Sequence, residues 1–171
     1  MEDVVDTTSS TCIMLIPDKS FRSQRSYVDE IHLTLAYLGR LEDSPKLFQV
    51  RRQLHQIAKR IGGPIQATAN AVGLFPDRDS FAVVDLIDGI DVFYARKTVE
   101  ALFGRASGSY DTLDVKVDYT HGFTPHITRE YLTISEFDAM PASVLLPVLP
   151  VDFTFDAIGL WHGKNHYEVA L

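Results

Sequence analysis

The sequence predicts an α+β domain made of two related halves. A short His-x-Thr motif occurs once in each half, as His32–Thr34 and His126–Thr128, and each copy opens a run that is typical of a β-strand. A strand–helix–strand unit surrounds each copy. We therefore expect residues 11–171 to form a single bilobal domain that follows a polar tail at residues 1–10.

The first half is predicted to contain two strands, a helix and a β-hairpin. Residues 11–17 form a continuous apolar run, which is typical of a buried strand. The helix has clear ends, because Ser44 suits the N-cap, Pro45 suits the first helical position and Gly62 follows the last turn. The predicted elements, in order, are strands 11–17 and 31–38, a helix 44–61, and strands 65–75 and 81–87.

The second half is predicted to repeat this mixture of strands and helices. A helix ends at Gly104, and residues 104–123 form a long Gly-, Ser- and Asp-rich segment, either a substrate lid or an insertion. We detect no sequence repeat beyond the motif itself. The predicted elements, in order, are a helix 90–103, the second motif strand 126–132, a short helix or irregular segment within 135–150, and a hairpin of strands 151–160 and 167–171.

Composition indicates a globular cytoplasmic protein. The chain is 46% hydrophobic and 23% charged, with a net charge of −7, which argues against attraction to duplex DNA or to an anionic membrane. The acidic start lacks the basic region of a signal peptide. The single cysteine, Cys12, lies in an apolar run and is expected to be a buried thiol. We expect a monomer or a small homo-oligomer.

The two motifs carry the candidate catalytic residues, His32, Thr34, His126 and Thr128. A strand places residues i and i+2 on one face, so each motif presents an imidazole beside a hydroxyl. If the two strands face each other, one histidine can accept a proton while the other donates one, and the hydroxyls can bind phosphate oxygens. The alternative is that each pair caps a strand end or lies on a solvated face.

No metal site or cofactor is predicted. Asp77 and Asp79 lie in a turn and have no histidine or cysteine spaced to join them. His162 and His166 are four residues apart, but Gly163 and Asn165 between them favour a turn over the helix that such a metal site needs.

The motifs and their flanks, His32–Gly39 and Phe123–Thr128, resemble those of the 2H phosphoesterase superfamily, the ligT-like or cyclic phosphodiesterase family. The resemblance implies a bilobal α+β fold in which two antiparallel-rich sheets flank a central groove, with helices outside. It also implies an enzyme that acts on RNA-type phosphodiesters without a metal. The flanks are most similar to those of phage-borne members, some of which destroy nucleotide second messengers of immune systems.

The second motif departs from the family pattern at Arg129, where an apolar residue is usual. Strand alternation predicts that Arg129 lies on the far face and extends to solvent, leaving the chemistry intact. The same alternation predicts that Glu130 lies on the groove side, where it orients His126, contacts a base or lies beyond the groove in solvent.

Four residues are predicted to bind substrate: Tyr119, Phe123, Glu130 and Trp161. The first two lie in or beside the long segment that precedes the second motif. Bases stack on aromatic rings, although most aromatic residues of a domain this size belong to the core. The wider set of candidate stacking residues is Tyr27, Phe75, Tyr119, Phe123, Trp161 and Tyr167.

The predicted function is metal-independent cleavage of a small nucleotide, with a cyclic oligonucleotide or related second messenger as the favoured substrate and viral anti-defence as the favoured role. If the protein is viral, it acts in the host cytoplasm. One alternative is a 2′,3′-cyclic phosphodiesterase or a 2′–5′ RNA-processing enzyme. Another is a protein that sequesters nucleotides without turnover, and a third is a structural or adaptor domain.

Overall fold

The predicted α+β class and order of elements are confirmed in the computed structural model. The described residues are 11–19, 31–39, 41, 44–77, 79–103, 122–141, 150–162 and 165–171. The elements within these ranges are β1 (Thr11–Pro17), β2 (Leu33–Gly39), α1 (Ser44–Ile61), β3 (Ile65–Asp77), β4 (Ser80–Asp88), α2 (Ile90–Phe103), β5 (His126–Thr133), α3 (Ile134–Ala139), β6 (Val151–His162) and β7 (Asn165–Ala170).

The seven strands form one antiparallel sheet in the order β1-β2-β5-β4-β3-β6-β7, and β1 also pairs with β6. The first six strands in this order therefore form a closed ring, and β7 is added to it by pairing with β6. The 12-residue β6 joins the two halves, because Val151–Phe155 pairs with β3 and the remainder pairs with β1 and β7. The family resemblance implied two sheets. In the structure they are two parts of one continuous hydrogen-bonded sheet.

The two faces of the sheet have different roles. On one face the helices α1 and α2 cover the main core, to which β2 and β5 contribute the fully buried Leu33 and Ile127. The other face carries a smaller apolar cluster that includes Cys12 and Met14, with Trp161 packed against it. Strand alternation explains the division, because neighbouring residues point to opposite faces. We call the second face the groove face.

The helices form where the sequence predicts them. In α1 the apolar residues recur at helical spacing, and Val50, Leu54 and Ile57 are fully buried. The helix ends before Gly62, whose φ of 83° is a backbone conformation that favours glycine. In α2 the apolar stripe is buried as predicted, but Arg96 and Glu100 are buried as well.

Several boundaries differ from the predicted ones. The strand β2 begins at Leu33 rather than at residue 31, so His32 immediately precedes it. The final hairpin is longer than predicted, with β7 starting at Asn165. The tail 1–10, residues 104–121 and residues 142–149 lie outside the described residues. No helix in the described part of the chain is long and apolar enough to cross a membrane.

Candidate active site

The two His-x-Thr motifs lie on directly hydrogen-bonded strands. The strands β2 and β5 pair at Leu33 and Ile127, the central residue of each motif. Both side chains are fully buried on the helix face, so the flanking histidines and threonines lie on the groove face. Extending this antiparallel register by one residue in each direction places each histidine opposite the threonine of the other motif. The two motifs are therefore related by a local two-fold axis.

The four residues predicted to be catalytic line one cavity of about 210 Å³. Each of the four is half-buried, so it is held by the fold and still reachable from solvent. The residues that line this cavity are His32, Thr34, Tyr37, Phe75, Ala82, His126, Thr128 and Tyr131. The structure thus brings together the side chains that the two motifs were predicted to present.

A larger cavity of about 420 Å³ adjoins the first and shares Thr34, Tyr37, Phe75 and His126 with it. Its remaining wall comes from β2, β3, α2 and the segment that leads into β5. This volume lies within the range of small-molecule sites, and the lining is predominantly apolar with a few polar groups. The geometry provides a small polar chamber beside a larger chamber that can hold a base or a sugar.

The ring of His126 is held in one orientation. Its Nδ1 donates a hydrogen bond to the backbone carbonyl of Thr124 at 2.7 Å, and the edge of Phe75 packs against the ring at a centroid distance of 4.7 Å. A carbonyl oxygen only accepts, so Nδ1 carries a proton in both charge states of the ring. The Nε2 atom is therefore the one that changes protonation state, and it can accept or donate a proton.

The ring of His32 packs against an aromatic stack. Its centroid lies 4.4 Å from that of Trp161, and Trp161 is stacked on His166 at 4.3 Å with an interplanar angle of 6°. Trp161 was predicted to bind substrate. It lines neither of the two cavities, and its contact is with a motif histidine. Its buried Nε1 has no hydrogen-bond partner among the described residues.

The predicted position of Glu130 is wrong. In the pairing of β5 with β4, Thr128 lies opposite Val84 and Glu130 lies opposite Val83. Arg129, between them, has no partner and forms a one-residue bulge. A bulge interrupts the alternation of side chains. As a result Tyr131, rather than Glu130, lies on the groove face and lines the smaller cavity, and Glu130 lines neither cavity.

Arg129 lies on the far face, as predicted, because it reaches Asp85, which is opposite Ile127 in the sheet. The prediction that its side chain extends to solvent is wrong. Its Nη2 lies 2.8 Å from Oδ1 of Asp85, a carboxylate that is fully buried in β4. The Arg129 side chain is itself only 17% exposed. The residue that departs from the family pattern therefore neutralises a buried charge on the face opposite the histidines.

Of the remaining predicted substrate residues, Phe123 lines the larger cavity and Tyr119 lies outside the described residues. The Phe123 ring packs against Phe93 at 5.6 Å, and the guanidinium of Arg96 lies 5.1 Å from its centroid. Arg96 itself lines the same cavity and is 4% exposed. This buried cation was not predicted, because helical spacing places it beside the apolar stripe of α2 rather than in a recognisable motif.

Two tyrosines of the smaller cavity, Tyr37 and Tyr131, were also missed. Burial of the phenol, with smaller contributions from Cys12 and Tyr131, raises the pKa of Tyr37, and a hydrogen bond with the Thr34 side chain acts in the opposite direction. Each tyrosine follows its motif threonine by three residues. That equal spacing was the available signal.

Cys12 is a buried free thiol, as predicted. Burial raises its pKa to about 12, so the thiol stays protonated near neutral pH and is a poor nucleophile. The histidines that were considered for a metal site have other contacts: His162 is hydrogen-bonded to Thr11 at 2.7 Å, and His166 stacks on Trp161. Across the described ranges, no three His, Cys, Asp or Glu side chains are grouped so that they could hold a metal ion.

Comparison with known proteins supports the resemblance. Among solved structures, TT0787 of Thermus thermophilus is 18% identical with a TM-score of 0.56, covering 95% of this chain and 94% of that one. Usb1 of Kluyveromyces marxianus with uridine monophosphate is 10% identical with a TM-score of 0.62, covering 96% and 99%. LigT of E. coli in apo form is 16% identical with a TM-score of 0.50, covering 95% and 94%.

At these identities the structural similarity establishes the fold and nothing more. A search of curated proteins finds no significant sequence match to the chain. The sequence pattern that defines the 2′-5′ RNA ligase superfamily, however, matches residues 11–166, which is most of the chain. Together with the paired motifs on adjacent strands, this match shows that the chain belongs to the 2′-5′ RNA ligase superfamily, the 2H phosphoesterases.

Proposed function

We propose that the protein is a metal-independent phosphodiesterase that cleaves RNA-type phosphodiester bonds by two-histidine acid–base catalysis. The observation that carries this proposal is the convergence of both His-x-Thr pairs on one cavity, through the pairing of β2 with β5. Membership of the 2H phosphoesterases agrees with it.

In the proposed reaction the histidines exchange protons with the two oxygens that are in line at phosphorus. One neutral imidazole removes the proton of the attacking hydroxyl or water as its oxygen forms a bond to phosphorus. The other imidazole, protonated, gives its proton to the leaving oxygen as that bond breaks. In His126 the atom that does this is Nε2, because Nδ1 is bound to the Thr124 carbonyl. The two histidines occupy related positions on paired strands, so either can serve as the acid or as the base.

The threonine hydroxyls supply the second part of the mechanism. Thr34 and Thr128 lie on the groove face beside the histidines and line the same cavity. Their hydroxyls donate hydrogen bonds to the nonbridging phosphate oxygens, whose negative charge must be stabilised in the transition state. Because these donors are fixed by strands, they need little reorganisation when the charge develops.

The favoured substrate is a cyclic oligonucleotide or a related nucleotide second messenger, which would make the protein an anti-defence enzyme if it is viral. The larger cavity, with Phe123 backed by Arg96, offers an apolar place for a base beside the phosphate chamber. A fold relative, Usb1 of Kluyveromyces marxianus, is seen with uridine monophosphate. A 2′,3′-cyclic phosphodiesterase or a 2′–5′ RNA-processing enzyme uses the same catalytic residues and is the alternative.

The test is a turnover assay in EDTA. The panel contains cyclic di- and trinucleotides, 2′–5′ oligoadenylate, 2′,3′-cyclic nucleotides and ADP-ribose cyclic phosphate. The His32→Ala, His126→Ala double variant is the inactive comparison. The matched control is His55→Ala, since His55 is exposed on α1 and bonds to Tyr167 at 2.7 Å, away from both cavities.

The expected result is cleavage of one substrate class by the unmodified protein and by His55→Ala, and none by the double variant. Binding of a panel member without cleavage would replace the proposal with nucleotide sequestration. Neither binding nor cleavage of any member would favour a structural or adaptor role.

A further inference from the structure

The two His-x-Thr motifs are parts of a longer repeat. The segments His32–Leu38 and His126–Leu132 read His-Leu-Thr-Leu-Ala-Tyr-Leu and His-Ile-Thr-Arg-Glu-Tyr-Leu. The histidine, threonine, tyrosine and final leucine are identical, and the second position is aliphatic in both. Our expectation that no repeat extends beyond the motif is therefore wrong.

The repeat is structural as well as sequential, because both segments contain a bulge at the same position. The register of β2 against β1 skips Leu35 and, further along, Leu38, whereas the register of β5 against β4 skips Arg129. Leu35 and Arg129 each directly follow the motif threonine. A one-residue bulge shifts the alternation, so Tyr37 and Tyr131 lie on the groove face with the histidines and threonines instead of on the helix face.

An arginine side chain is associated with each bulge. A bulge leaves backbone groups without a ladder partner. The Leu35 carbonyl accepts a hydrogen bond from Nη1 of Arg96, whose Nε donates to Glu100 at 2.9 Å. In the second segment the bulged residue is itself the arginine, and it is paired with the buried Asp85. The arginine therefore takes part differently at the two bulges: Arg96 binds the carbonyl of the bulged Leu35, whereas Arg129 is itself the bulged residue.

The environments of the two tyrosines also match. Tyr37 is 53% exposed and Tyr131 is 51% exposed, whereas the leucines that follow them, Leu38 and Leu132, are 5% and 7% exposed. Both tyrosines line the smaller cavity together with the four motif side chains. The local two-fold axis thus relates six groove-face side chains, three from each segment.

We propose that Tyr37 and Tyr131 are equivalent substrate-contacting residues, one on each side of the scissile phosphate, and that the substrate carries a nucleoside on both sides of that phosphate. This inference rests on the proposed function. An aromatic ring can stack on any base, and each ring here belongs to one of the two related segments. An internal linkage of a linear or cyclic oligonucleotide can engage both tyrosines, whereas a 2′,3′-cyclic mononucleotide has one nucleoside and can engage only one.

The experiment measures equilibrium binding to the His32→Ala, His126→Ala protein, which removes turnover. The ligands are a linear dinucleotide, a cyclic dinucleotide and a 2′,3′-cyclic mononucleotide, and the added variants are Tyr37→Ala and Tyr131→Ala. The matched control is Tyr94→Ala, since Tyr94 is 52% exposed but lies on α2 and lines neither cavity. Tyr→Phe variants test whether the ring is sufficient.

For each dinucleotide that binds, we expect both alanine variants to weaken binding about 10-fold, as is typical when a stacking ring is removed, and both phenylalanine variants to restore it. For the cyclic mononucleotide, only one of the two alanine variants should weaken binding. Tyr94→Ala should change nothing. Comparing the linear with the cyclic dinucleotide identifies which of the two carries the internal linkage that the site prefers.

The proposal would be overturned if Tyr37→Ala or Tyr131→Ala bound the dinucleotides as tightly as the protein with both tyrosines. It would also be overturned if the two alanine variants lost equal affinity for the cyclic mononucleotide. The outcome is separable from that of the proposed function. Turnover without dependence on the tyrosines would refute the tyrosine pair alone, whereas tyrosine-dependent binding without turnover by the unmodified protein would refute the phosphodiesterase alone.

Discussion

Replacing Asp85 by Asn should destabilise the protein strongly, because it leaves a guanidinium without its counter-ion in the interior. The Asp85 carboxylate is fully buried and lies 2.8 Å from Arg129, which is 17% exposed. Asparagine keeps the size of the side chain and removes its charge. The change therefore tests the ion pair with little disturbance of packing.

The expected loss follows from the burial of the pair. Removing one partner of a buried ion pair costs about 3–5 kcal/mol, and the partial exposure of Arg129 favours the lower end, about 3 kcal/mol. For a protein of 171 residues, 1 kcal/mol shifts Tm by about 2–4 °C, so the predicted decrease is about 6–12 °C. The double variant Asp85→Leu, Arg129→Met should be more stable than Asp85→Leu alone or Arg129→Met alone, because it leaves no unpaired charge.

Thermal and urea unfolding monitored by circular dichroism measure these changes. The unmodified protein, Asp85→Leu, Arg129→Met and the double variant form a double-mutant cycle. The control is Lys97→Ala. Lys97 is 63% exposed in its ion pair with Glu100, so its removal should cost less than about 1 kcal/mol. A loss in Asp85→Asn no larger than that of the control would show that Arg129 does not require a counter-ion at this position. So would a double variant less stable than both singles.

Four further predictions concern chemistry. Replacing either His32 or His126 by Ala should lower kcat/KM by about 10²–10⁴-fold without lowering Tm, measured on the substrate that the panel identifies. Cys12 should react with a disulfide reagent only after unfolding, because its pKa is raised to about 12; rapid labelling of the folded protein would contradict its burial. Tyr37 should titrate above the ordinary range of a tyrosine, as the ultraviolet difference between the unmodified protein and Tyr37→Phe would show. Hydrogen bonds from Thr133 lower the pKa of Glu136. This capping interaction therefore stabilises α3 above the pKa that Glu136 has in the unfolded chain, and the stabilisation is lost as the pH falls through its pKa in the folded protein. In an NMR titration, Thr133→Ala should raise the pKa of Glu136.

Much of the fold could be predicted from local signals. The helix α1 is bounded by Pro45 and Gly62, and its buried residues recur at helical spacing, so both its limits and its inner face were recognisable. The two motif strands were recognisable from their apolar runs. These features depend on residues close together in the sequence, which is why composition and spacing reveal them.

The orientation of side chains in the groove could not be predicted in the same way. Strict alternation placed Glu130 in the groove, and the bulge at Arg129 placed Tyr131 there instead. That bulge depends on the register of β5 against β4 and on the pairing of Arg129 with Asp85, 44 positions earlier in the sequence. Likewise, the contact of Trp161 with His32 depends on β6 and β2 both flanking β1. Such long-range contacts leave no local pattern.

The pH dependence of kcat/KM in EDTA is the direct test of whether two histidines, and no metal ion, carry out the reaction. An imidazole ordinarily changes its charge between pH 5 and 8, so an acid and a base that are both histidines should give a bell-shaped profile with both limbs near that range. The chelator should leave this profile unchanged. Loss of activity in EDTA that a divalent ion restores would contradict two-histidine, metal-independent catalysis.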